Sequence, residues 1–142
     1  MNIDLMKLTV DYGILGILIL MGFVSLFFYI ERLFFYKNLD EQSYSKKDLL
    51  EIELTNNTSI IASIASNSVY IGLLGTVMGI LITFYEMGQT GQIDVKIIMT
   101  SLAFALKATA LGLVVAIPAM MFYNHLVRKI EVKLALWQIH NS

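Results

Sequence analysis

Three long stretches almost free of charge decide what this chain can become. No charged residue lies between Asp11 and Glu31, none between Glu53 and Glu86, and only Lys107 between Lys96 and Arg128. A helix of about 20 apolar residues crosses a hydrocarbon core of about 30 Å. Spans are therefore expected at about 12–30, 67–87 and 97–125, with the polar Thr55-Asn56-Asn57-Thr58-Ser59 left outside the lipid. A soluble helical bundle would need polar faces that these runs lack. Composition agrees: 57% of the residues are hydrophobic and 15% charged, against about 25% charged in average globular chains. The expected fold class is all-α, an integral membrane protein with three transmembrane helices forming a single membrane domain over 1–142.

Direction follows from the basic residues near the span ends. Arg32, Lys37, Lys46 and Lys47 follow the first span, and Arg128, Lys129 and Lys133 follow the third; only Lys7 and Lys96 lie on the other side. Seven against two places the segment 31–66 and the tail 126–142 in the cytoplasm, and the N-terminus and the loop Gly88–Lys96 outside. The first run ends in Glu31-Arg32 rather than a small-residue cleavage site, so it reads as a retained span. Ser45 with Asp48 three residues later predicts a capped short helix over about 46–54. Asn56-Asn57 reads as a break, and Thr58 as a cap for the helix of span two. In the tail, Leu126, Ile130, Leu134 and Trp137 share one helical face. That face fits either a helix continuing span three and packing on neighbouring chains or a helix lying on the lipid surface.

Spans two and three carry stripes of small residues. Gly72, Thr76, Gly79 and Thr83 fall on one narrow face of span two, and Gly75 pairs with Gly79 as GxxxG. In span three Ser101, Ala105, Thr109, Gly112, Ala116 and Ala119 line one face by the same count. Small residues let helix backbones approach closely, which is how helices associate in lipid. Thr76 and Thr109 add hydroxyls to those faces. They can bond a neighbouring helix or line a wet path for ions, or simply bond their own i−4 carbonyl. Pro118 inside span three predicts a kink.

The runs Gly72-Leu73-Leu74-Gly75-Thr76-Val77-Met78-Gly79 and Ala108-Thr109-Ala110-Leu111-Gly112-Leu113-Val114-Val115-Ala116-Ile117-Pro118-Ala119, followed by Tyr123-Asn124, resemble the MotA/TolQ/ExbB proton channel family, and within it the ExbB type. The resemblance covers about the last 75 residues; the first 65 match only in layout. It implies a pentameric ring in the bacterial inner membrane whose second and third spans line a pore. The pore would hold an ExbD-like single-span protein whose aspartate carries the proton. A TonB-like protein would pass the work to outer-membrane transport. By the same resemblance Thr76 and Thr109 are the pore-lining, proton-path positions. The alternatives are a TolQ-type subunit for envelope integrity and a passive membrane scaffold. The flagellar MotA type, with four spans and a large cytoplasmic domain, fits poorly.

Two positions depart from the family pattern. Where a glutamate is common, five residues before the span-three threonine, this chain has Phe104, and Lys107 stands where an apolar residue is usual. A lysine at membrane depth costs about 2.5–3.5 kcal/mol on insertion scales. Lys107 lies about 200° around the helix from Thr109. It is expected either to snorkel outward or to form an intramembrane ion pair with Glu86 or a neighbouring subunit. No cysteine, HExxH, Walker loop or Ser-His-acid set is present, so no enzyme, cofactor or metal is expected. The formal net charge of −1 carries no basic stripe for nucleic acid.

Overall fold

The computed structural model describes residues 3–141. Four α-helices follow one another: α1 (Ile3–Lys37), α2 (Lys47–Thr55), α3 (Thr58–Thr90) and α4 (Val95–His140). A single 3-10 turn, Glu41–Ser43, lies between α1 and α2, and no strand occurs among the described residues. Helices α1, α3 and α4 are each long and apolar enough to cross a membrane. Their large side chains point outward in number, Leu20, Phe23, Phe27, Leu81, Val114 and Met121 among them. In water such a surface would aggregate; in lipid it is the solvated face.

Helix α3 runs antiparallel to both others. Lys7 near the start of α1 meets Glu86 near the end of α3, and Gly72 of α3 meets Ala108 and Gly112 of α4. One apolar core sits at mid-depth, where Leu18, Ile64, Ala65, Val115 and Ala119 meet. A second sits at the end bearing α2, built from Tyr36, Leu50, Leu54, Ile61, Leu126 and Ile130.

The long tail face finds its partners there. Helix α4 has 46 residues, about 69 Å at 1.5 Å per residue, and continues the third span without interruption. Leu126 and Ile130 are buried in this second core, and Leu134 and Trp137 pack against it. The stripe thus packs on the chain's own α1–α3 connection. The Trp137 indole N–H donates to the Tyr44 carbonyl at 3.1 Å.

Helix ends differ in detail from the sequence expectation. Helix α2 starts after Lys46, which makes no side-chain cap, so Ser45 does not cap it. Thr58 lies inside α3 and donates to the Thr55 carbonyl at 2.6 Å. The break is made instead by Asn57, the one described non-glycine residue with positive φ (+67°); asparagine tolerates that region better than most residues. The connection between α3 and α4 is shorter than the expected loop Gly88–Lys96. Helix α3 continues to Thr90, Gly91 turns at φ +69°, and its N–H closes on the Met87 carbonyl. Asp94 then caps α4 by accepting the Lys96 N–H at 3.0 Å. Glycine enters the left-handed region without a Cβ penalty, which suits Gly91 to this turn.

Candidate functional site: the seam between α3 and α4

Close approach of α3 and α4 is written in their glycines. A Cβ added to Gly72 would lie 2.6 Å from the Ala108 carbonyl oxygen, and one on Gly112 would lie 2.7 Å from the Ser68 carbonyl oxygen. On Gly75 it would meet the Ala108 Cβ at 2.7 Å, and on Gly79 the Ala105 Cβ at 2.9 Å. Both stripes therefore face each other, with Ala105, Ala116 and Ala119 also buried. Thr83 is buried on the same face, and its hydroxyl donates to its own Gly79 carbonyl at 2.8 Å.

Thr76 and Thr109 meet across this seam. Their hydroxyl oxygens are in direct hydrogen-bond contact. Thr76 also donates to the Ala105 carbonyl at 2.8 Å. A hydroxyl has one proton and two acceptor sites. With the Thr76 proton on Ala105, Thr109 is left to donate to Thr76. The Thr109 oxygen then keeps acceptor capacity, on a residue that is only half-buried while Thr76 is 7% exposed.

Above the pair, away from α2, a cleft of about 270 Å³ opens between α1, α3 and α4. Lys7, Asp11, Thr83, Thr100 and Ser101 give it polar walls, and Gly79, Phe104 and Ala105 are among its apolar ones. Phe104, which stands at the family's glutamate position, is thus a cleft wall. At the cleft's edge Lys7 pairs with Glu86 at 2.5 Å.

That pairing corrects one of the alternatives for Lys107, an ion pair with Glu86. Glu86 is taken by Lys7, which the antiparallel packing of α1 and α3 brings to it. Lys107 is exposed, turned away from the seam, and its ammonium lies 5.3 Å from the centre of the Phe104 ring, within cation–π range. Pro118 lies inside α4 without ending it; its missing N–H leaves the Val114 carbonyl without that helix bond.

Three participants escaped the sequence reading. Ser68 is fully buried on the seam, and its hydroxyl finds no hydrogen-bond partner among the described residues. It stands four residues before Gly72, so extending the stripe by one turn would have found it. Asp11 and Lys7 lie on α1, and no periodicity within one helix reports a cleft shared by three.

Three apolar crossing helices and a tightly packed, hydroxyl-bearing seam define a multi-pass helical membrane protein. Residues 28–139 match the MotA/TolQ/ExbB proton channel family. The chain belongs to that family, a family of transport proteins and proton channels. It is 51% identical over 137 residues to the biopolymer transport protein ExbB of Aquifex aeolicus, covering 96% of this chain and 93% of the relative. It is 48% identical over 131 residues to ExbB of Helicobacter pylori, covering 92% and 90%. A Tol-Pal system protein TolQ from Haemophilus influenzae is 47% identical over 77 residues, 54% of this chain and 34% of that protein.

Proposed function

We propose that this chain is the channel and motor subunit of a proton-driven complex in the bacterial inner membrane. Copies of it, five as the family resemblance implies, ring a pore. An ExbD-like single-span partner places its acid-bearing helix in that pore, and a TonB-like protein carries the resulting work to outer-membrane transport. The observation that carries the reading is the Thr76–Thr109 pair, two bonded hydroxyls at membrane depth on a seam without a carboxylate. A proton path in a low dielectric needs a group that can be charged and neutralised in turn. The seam itself supplies acceptors and no acid, so in this reading the acid that meets the threonines belongs to a second protein, and Thr109 would accept from its protonated carboxyl.

Replacement of either threonine by valine keeps the shape and removes the hydroxyl. Thr76→Val or Thr109→Val should lower proton-dependent uptake by up to about tenfold, the scale of one neutral hydrogen bond, while the complex still purifies at normal yield. Full uptake in both variants with intact assembly would leave only a passive scaffold. The match to TolQ favours one second reading, a role in envelope integrity. Under it, deletion of the gene would sensitise cells to detergent while leaving energised uptake untouched.

A further inference from the structure

We infer that the cleft between α1, α3 and α4 is a hydrated half-channel, with Asp11 as its titratable group, that brings protons from the outer side to the threonine pair. The inference rests on the proton-channel reading above and specifies its entrance. At about 270 Å³ the cleft holds several waters, since one water occupies about 30 Å³ of liquid and needs two to four polar partners. Those partners line it: Lys7, Asp11, Thr83, Thr100 and Ser101. Asp11 is exposed on α1 and is the one carboxylate in the lining; Lys7 is its cation, held by Glu86 from α3, and α4 contributes no titratable group to the walls. The floor includes Gly79 and Ala105, and the Ala105 carbonyl is the group that accepts the Thr76 hydroxyl at 2.8 Å.

Below that floor the passage stops. Gly72 and Gly112 bring the two backbones so close that not even a methyl group fits between them. Water therefore cannot pass down the seam toward Ser68. A proton arriving through the cleft must leave sideways, through the half-buried Thr109, to whatever faces it. One chain thus supplies an entrance and a stop; a second protein has to supply the exit, which is what couples flow to the partner's movement.

The chain has no cysteine, so single cysteines can report on water in the intact complex. A thiol reacts with a membrane-impermeant methanethiosulfonate only where water lets it ionise. Ser101→Cys and Thr100→Cys should be labelled in intact cells, and Ser68→Cys, beyond the glycine contact, should not; Gln92→Cys in the connection reports that the reagent reaches the protein. If Ser101→Cys and Thr100→Cys are as inert as Ser68→Cys while Gln92→Cys reacts, the half-channel is wrong. Asp11→Asn should lower proton-dependent activity by about a hundredfold or more, the scale of one positioned proton-transfer group. Asp11→Glu should restore it, with equal amounts of assembled complex in both. Wild-type activity in Asp11→Asn overturns the role given to Asp11, and activity that follows sodium rather than the proton gradient overturns the choice of ion. Inert cleft cysteines beside impaired threonine-to-valine variants remove the half-channel alone. Reactive cysteines beside fully active valine variants leave a wet cleft and remove the channel function.

Discussion

At Gly72 and Gly112 one methyl group separates a packed seam from a clash with backbone. The would-be Cβ atoms lie 2.6 and 2.7 Å from carbonyl oxygens that belong to the facing helix and cannot rotate away. Overpacking of this kind costs about 1–3 kcal/mol, so Gly72→Ala or Gly112→Ala should lower the melting temperature of the purified protein by several degrees. At Gly88 a Cβ meets nothing within 4 Å, and alanine favours the helix by about 1 kcal/mol. Gly88→Ala should therefore be neutral or stabilising, and a drop equal to that of Gly72→Ala would mean that the seam glycines are not special. These stripes were legible in the sequence because the periodicity of one helix is local information. That Thr76 would bond Thr109 itself was not, since two stripes fix two faces and leave their register open. The partner of Glu86 was hidden for a similar reason: Lys7 sits before the first apolar run, and only the packing of α1 on α3 joins them.

Among the elements, α2 depends most on others. It has nine residues, too few to be stable alone, and a helix leaves its last four carbonyls without internal partners. Helix α1 supplies two partners. The buried Arg32 guanidinium donates to the Glu53 carbonyl at 2.9 Å, and the Tyr36 hydroxyl donates to the Leu54 carbonyl at 2.5 Å. Tyr36→Phe should cost about 1 kcal/mol, measured by thermal unfolding, because it removes one such bond and keeps the ring in the core. On the other flank Lys133 of α4 holds Glu41 at 3.0 Å. Burial pushes the Glu41 carboxyl up, but its own backbone N–H and Lys133 outweigh that and hold it below its ordinary value of 4.5. A depressed folded value means that the pair stabilises above the unfolded value and that this contribution is lost as pH falls through the folded one. Glu41→Gln should accordingly lower stability near neutral pH and remove part of the loss of stability below about pH 4.5, its difference from the wild type closing as the pH falls through the depressed folded value. A helix near 46–54 was readable from the sequence. Its caps were not, because its free carbonyls are satisfied from α1, which local spacing does not report.

For the molecule as a whole, folding sharpens the charge asymmetry that sets its direction. The antiparallel bundle gathers Arg32, Lys37, Lys46, Lys47, Arg128, Lys129 and Lys133 at the end with α2, and leaves Lys7 and Lys96 at the Gly91 turn. Lys7 is further matched there by Glu86. Basic residues near span ends resist transfer across the membrane, so the end with α2 should face the cytoplasm and the Gly91 turn the outside. Gln92 and Gln138 mark the two ends and are both exposed. In a chain free of native cysteine, Gln92→Cys should react with an impermeant thiol reagent in intact spheroplasts, and Gln138→Cys only after permeabilisation. The reverse pattern would turn the molecule over. The cleft of Asp11 and Ser101 would then open to the cytoplasm, and the same half-channel would become the route by which protons leave.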